Sequence, residues 1–163
     1  MAASTYGIGE LQGLMSQIYT IDPATGKPPR LIVNPYIYTV TFSALTQGAV
    51  QTQTLAIAAN LDFLCLGLQY RAQIGAAQTQ QSKTAAFCRL LIVDSGTNEQ
   101  WSNAPVDLEN WFSSYSSEDN TLPYPRWCSG RTTLSLQLTN YAPTAETYTT
   151  VDLALVGLQV KKM

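Results

Sequence analysis

Apolar residues recur at every second position through most of this chain, the period of an extended strand with one face buried. In YIYTVTFSA, Tyr36, Tyr38, Val40 and Phe42 fall on one face, and Ile37, Thr39, Thr41 and Ser43 on the other. QTLAIAAN places Leu55 and Ile57 together, and LDFLCLGLQY does the same for Leu64, Leu66, Leu68 and Tyr70. These two segments are expected at the centre of the sheet structure. Asn60 and Asp62 mark the point between them where the chain reverses or changes sheet, because such side chains bond nearby backbone and tolerate turns. Gln47-Gly48 predicts a hairpin between the first strand and residues 50–58. TAAFCRLLIVD contains the run Leu90, Leu91, Ile92 and Val93, the pattern of a strand covered on both sides. Asp94-Ser95-Gly96 closes it, with glycine expected to supply a positive φ. TTLSLQLTN and the closing strand with Val151, Leu153, Leu155, Leu158 and Val160 predict an antiparallel hairpin across YAPTAE.

Three stretches break this period. Residues 1–34 read as an arm before a domain spanning 35–163. Leu11, Leu14, Met15 and Ile18 have the i, i+3, i+4, i+7 spacing of a helix. Gly7, Gly9 and Gly13 each weaken such a helix by roughly 1 kcal/mol, so it forms only when docked, on its own domain or on a neighbouring subunit. DPATGKPP then reads as turn and extended chain. RAQIGAAQTQQSK predicts a long loop. Residues 103–129 gather Trp111, Phe112, Tyr115, Tyr124 and Trp127 with three prolines. A short helical turn beginning near Asp107, with Asp107 as its cap, is expected there. Pro123 and Pro125 enforce extended chain and exclude a central strand. Six to eight strands with short turns and little helix define an all-β class, an antiparallel β-sandwich of jelly-roll or Ig-like type.

Composition narrows the function. A length of 163 residues suits one core, and charged residues make up only 12%. A net charge of −2 without clustered Lys and Arg disfavours nucleic acid. With no histidine, the Ser/His/Asp and Cys/His nucleophile pairs are ruled out, along with the commonest zinc ligand. Cys65, Cys88 and Cys128 are widely spaced, without a CxxC pair, and are expected to be buried free thiols of a protein made in a reducing cytoplasm. No apolar run is long enough to span a membrane as a helix, and MAASTYGIGE lacks the features of a secretory signal.

Candidate chemistry reduces to two kinds. Paired carboxylates are the only catalytic constellation the composition allows: Asp107 with Glu109, or Glu118 with Asp119, as a glycosidase acid and base beside Trp111 and Trp127, but adjacency gives no cleft with separated pKa values, and solvated loop acids explain the same residues. Asp94 with Glu99, or Glu118, Asp119 and Asn120, lack calcium-loop spacing, so no metal or cofactor is expected. The aromatic segment is the better candidate for binding, since Trp, Tyr and Arg are enriched at interfaces. Leu11, Leu14, Met15, Ile18, Trp111, Phe112, Tyr115, Tyr124, Arg126 and Trp127 are therefore the candidate partner-binding residues. The opposing structural reading makes Trp101, Trp111 and Trp127 caps of the sandwich core.

The order of segments LAIAANLDF, LLIVDSGTNEQWSNAPV, WFSSYSSEDNTLPYPRW, LSLQLTNY and VDLALVGLQVKK resembles tailed-bacteriophage virion proteins of the head decoration or cement type, over residues 34–163. The resemblance implies a non-enzymatic protein on the capsid surface, bound to the major capsid protein as a homo-oligomer, a dimer or trimer. It also leaves open a tail, neck or fibre component whose aromatic loop binds a receptor or glycan. In either case no nucleic acid or membrane is expected as a partner.

Overall fold

The computed structural model describes residues 8–19, 21, 23–27, 29–75, 83–111 and 121–163. A helix, α1 (Ile8–Ile18), precedes the strands β1 (Leu31–Leu45), β2 (Val50–Ala56), β3 (Asp62–Ile74), β4 (Lys83–Thr84), β5 (Cys88–Asp94), β6 (Glu99–Gln100) and β7 (Val106–Asp107). The short helix α2 (Leu108–Trp111) follows, then β8 (Thr121–Cys128), β9 (Thr133–Asn140) and β10 (Tyr148–Lys162). Two antiparallel sheets face one another. The first runs β1-β10-β3, with β8 and β4 end to end along the far edge of β3; the second runs β2-β9-β5, with β6 and β7 beyond.

The pairing is nested. β1 pairs with β10, β2 with β9, β3 with β8 and β5 with β7, so that successive strands from each end of the chain meet and fall alternately in the two sheets. That wrapping is the jelly roll, and it decides between the two sandwich topologies left open by the strand pattern. It also corrects both expected hairpins. Residues 46–49 carry the chain across from β1 to β2 in the other sheet, with Gly48 at φ 73°. Residues 141–147 likewise carry it from β9 back to β10 in the first sheet. Consecutive strands of matching alternation are natural hairpin partners on local grounds; here burying both apolar faces between two sheets overrides proximity in sequence.

Core residues come from both sheets: Val40, Phe42, Leu68, Leu153 and Leu155 of the first pack with Leu90, Ile92, Leu134, Leu136 and Leu138 of the second. β3 is central, as expected, but β2 is an edge strand. The face assigned to Leu64, Leu66, Leu68 and Tyr70 needs a second correction. Cys65 pairs with Gly157 and Gly67 with Val156, leaving Leu66 as an extra residue, a β-bulge. Phe63 and Cys65 therefore face the core before the bulge, and Leu68, Tyr70 and Ala72 after it. Leu64 is fully buried yet points away from the inter-sheet core. A one-residue slip exchanges faces because the side-chain period is two.

Smaller differences have similar local causes. The expected loop 71–83 begins as strand, since β3 runs on to Ile74. Leu91 and Val93 are only half-buried, so β5 has one fully covered face. In the turn after β5, the positive φ of 57° belongs to Asn98. Gly96 serves close approach: a Cβ there would lie 2.2 Å from Thr132 Cγ2, and its N–H donates to Asp94 Oδ1 at 2.7 Å. Pro125 lies in β8, an outer strand, where extended chain without a full set of donors is tolerated.

Candidate functional site

α1 has 11 residues, two of them glycine, which is short for a helix standing alone in water. It lies instead on the outer face of the first sheet. Residues directly opposite in an antiparallel pair share a face. Trp127, Leu64 and Leu158 thus form one cross-strand row, and Asp62, Val160 and Val33 the next. An apolar outer row of this kind would be solvent-exposed without cover. The cover comes from the arm: Leu11, Met15 and Tyr19 meet Leu31, Val33 and Leu158 around a groove of about 620 Å3.

Tyr19 fastens the end of the helix. Its ring sits edge-on to Trp127 at 5.4 Å, and its hydroxyl donates to Asp62 Oδ2. Asp62 Oδ1 accepts from the Gly130 N–H at 2.7 Å, so one carboxylate joins the arm, the start of β3 and the turn before β9. The junction aspartate thus bonds distant parts of the chain rather than its own turn. Burial, and next the Asp62 carboxylate, raise the Tyr19 pKa, keeping the phenol protonated and donating. On the far side of the arm, the Met163 N–H donates to Arg30 O at 2.9 Å, bringing the two ends of the sandwich together. Gly26, at φ 61°, and the flanking Pro23 and Pro29 shape the connection between α1 and β1.

Leu11 and Met15 line the groove, while Leu14 and Ile18 are half-buried elsewhere on the helix. The arm therefore docks on its own domain. Trp127 joins this surface through Tyr19. Trp111 does not: its Nε1 donates to Leu90 O at 3.2 Å, and the ring packs on the core from the second sheet. This is the capping role weighed for it from the sequence. Tyr124 is 80% exposed. Arg126 pairs with Glu99 at 3.3 Å and donates to Trp101 O at 3.4 Å. Phe112 and Tyr115 lie outside the described residues, as do Glu118 and Asp119. The candidates thus separate into an α1–Trp127 surface, Trp111 on α2 against the second sheet, and Tyr124 with Arg126 along β8.

Tyr19, Leu31 and Val33 were not singled out by the sequence pattern, and Leu158 was read only as a strand residue, although a signal was present. PRLIVNPYIY places apolar side chains on both parities, as expected of a strand that needs cover on two sides.

Asp107 is the residue before α2, and its carboxylate is taken by Arg89 Nε at 3.0 Å, so no acid–base pair with Glu109 is assembled. All three thiols are free and buried. Burial pushes Cys88 and Cys128 up to about 12 and Cys65 higher still, leaving each a protonated, unreactive thiol. Among the described residues no group of three His, Cys, Asp or Glu side chains gathers as a metal site, and no helix is long and apolar enough to cross a membrane. No family model, curated protein or solved structure matches the chain.

Proposed function

We propose that this chain is a non-enzymatic structural protein that binds the exterior of a viral capsid and stabilises it, as decoration or cement proteins do. The observation that carries the reading is the outer face of the first sheet. A row of apolar side chains there is covered by a short, glycine-containing helix on a proline- and glycine-bearing tether, with a groove of about 620 Å3 still between them. Such a surface suits holding a neighbour and has no chemistry to offer a substrate. The jelly roll is compatible, being shared by capsid proteins, lectins and other classes, and by itself assigns no function. The segment-order resemblance supplies the capsid as the specific partner, with the major capsid protein as the surface contacted and a dimer or trimer as the bound form.

A tail, neck or fibre protein with a glycan-binding aromatic loop has less behind it, because Trp111, on α2, packs against the second sheet while Trp127 lies in the first. The test is co-sedimentation with assembled shells, followed by heating with and without the protein. Binding in simple ratio to the capsid protein, with raised heat resistance, is expected. The double variant Leu11→Asp, Leu158→Glu should retain the sandwich's melting transition and lose shell binding. Shells equally robust without the protein, or a double variant that binds unchanged, would overturn the reading.

A further inference from the structure

A second cavity, of about 160 Å3, lies on the second sheet where β5 meets β7. Phe87, Tyr141, Asp107, Glu109 and Asn110 line it. We propose that it is an anchor for a basic side chain of a protein partner.

The rim is held in place before anything binds. Leu108 is fully buried on one side of Glu109 and Asn110, and Trp111 is hydrogen-bonded to Leu90 O on the other. A four-residue helix pinned at both ends presents its two middle residues with little freedom to lose, and preorganisation of this kind raises affinity. The charges do not balance. Asp107 is neutralised by Arg89, and its carboxylate, after burial, helps raise the pKa of the neighbouring Tyr141 phenol. Glu109 has no ion-pair or hydrogen-bond partner among the described residues, so Asp107, Glu109 and Arg89 together leave one negative charge at the cavity.

The aromatic walls fit a cation better than a sugar. The Arg89 guanidinium lies 4.5 Å over the Tyr141 ring, which shows that rings and carboxylates at this place already hold one cation. It also covers a ring face on which a saccharide would stack. Phe87 stands edge-on to Tyr141 at 6.1 Å and is 48% exposed, offering an apolar wall to an aliphatic stem whose head reaches Glu109. The volume is well below the roughly 300–1,000 Å3 of small-molecule pockets, and suits a single side chain. This inference does not rest on the capsid reading, since it specifies only the chemistry of the group bound.

The test uses the isotope-labelled full chain titrated with N-acetyl-arginine amide and N-acetyl-lysine amide, followed by amide chemical shifts. N-acetyl-citrulline amide serves as the neutral isostere, and a methyl glucoside as the saccharide. Saturable shifts at Phe87, Glu109, Asn110 and Tyr141 are expected with the cationic probes alone, weakening as salt rises. Glu109→Gln, an exposed change, should weaken binding about tenfold or more, as expected for a close charge pair, while Glu99→Gln, far along the sheet in the Arg126 pair, leaves it unchanged. Equal shifts from citrulline or glucoside, no response to the cations, or wild-type affinity in Glu109→Gln would each overturn the proposal.

Discussion

Gly157→Ala should be the most damaging single-methyl change in the sandwich. Gly157 sits in β10 opposite Cys65, beside the bulge at Leu66. A Cβ placed on it would lie 2.1 Å from the Leu64 carbonyl oxygen, 3.0 Å from the Leu64 carbonyl carbon and 2.9 Å from Phe63 Cζ. The closest of these is backbone of the central strand, so no rotamer change relieves it. Ordinary contact begins at 3.4 Å, so the two strands would have to part by 3.4 − 2.1 = 1.3 Å. Strands pair at about 4.8 Å, and an opening of that size breaks the flanking ladder bonds. Two such bonds at about 1 kcal/mol each, added to about 1–3 kcal/mol for overpacking, give a loss of about 3–5 kcal/mol. Against the roughly 5–15 kcal/mol that holds a typical domain, much of the stability would go. Urea unfolding followed by tryptophan fluorescence measures it, with Gly13→Ala as the control. Gly13 has nothing within 4 Å of an added Cβ, and alanine there should favour α1 by about 1 kcal/mol without loss to the sandwich. A Gly157→Ala protein within 1 kcal/mol of the parent would refute the close-approach argument and with it the bulge register.

Three further outcomes follow from polar and buried groups. Asn140 is fully buried, its Nδ2 donating to Leu45 O at 3.1 Å and Glu146 O at 2.9 Å, its Oδ1 accepting from Ala142 N at 2.9 Å. Asn140→Ala leaves those three backbone groups to find other partners, and should cost about 3 kcal/mol or more in the same urea experiment; a loss under 1 kcal/mol would show that water replaces the amide. Burial, chiefly, raises Cys88 and Cys128 from 9.0 to about 12 and Tyr148 from 10.0 to about 12. The folded state therefore holds these protons more tightly than the unfolded, so their contribution is complete below pH 9 and is lost between pH 9 and about 12. Melting temperature should be level to pH 9 and fall above it, with all three thiols resisting alkylation in native protein at pH 8; ready labelling there would contradict their burial. Tyr19→Phe removes the bond to Asp62, worth about 1.5–3 kcal/mol for a charged acceptor, and should speed chymotrypsin cleavage within α1 while leaving the unfolding midpoint of the sandwich unchanged. Equal cleavage rates would mean that other contacts hold the helix.

Strand positions were legible because burial of one sheet face imposes a period of two, and the helix because its apolar residues follow the 3.6-residue turn. Pairing was not legible. Leu31 meets Lys162 and Val50 meets Thr139, contacts between opposite ends of the chain that no local pattern records. The bulge at Leu66 was hidden for a different reason: Phe63, Leu64, Cys65 and Leu68 are all apolar, so a shift of face leaves no trace in the alternation. The polar nodes were the hardest to read. Asp62 and Asn140 look like ordinary turn residues, yet each joins segments far apart in sequence, and only the nested topology brings their partners within reach. The same holds for the docking surface. Its helix half could be named from spacing, whereas its seat is built by Leu31, Val33 and Leu158 from both ends of the chain.

On the proposed reading, that construction shifts the weight of function from the aromatic loop to the arm. Trp127 and Leu158 lie in one cross-strand row with Leu64 between them, and Tyr19 closes the end of that row with its ring, on Trp127, and the end of the next with its hydroxyl, on Asp62. A partner that competes for this row meets a helix too short and too rich in glycine to persist once displaced, so the cost of moving it is the loss of its contacts with the sheet and little more. A partner that instead fills the groove beside the helix keeps those contacts and adds its own apolar area, at about 25 cal/mol per Å2 buried. The second route is favoured because it gives up nothing already made. On the proposed reading, then, the shell contributes a side chain or loop to the space between α1 and the start of β1, and α1 stays where it is. Cross-linking from a cysteine placed at Gln12, which lines the groove, to the shell would separate the two routes, since an arm that leaves its own sheet carries that position away from Val33 and Leu158.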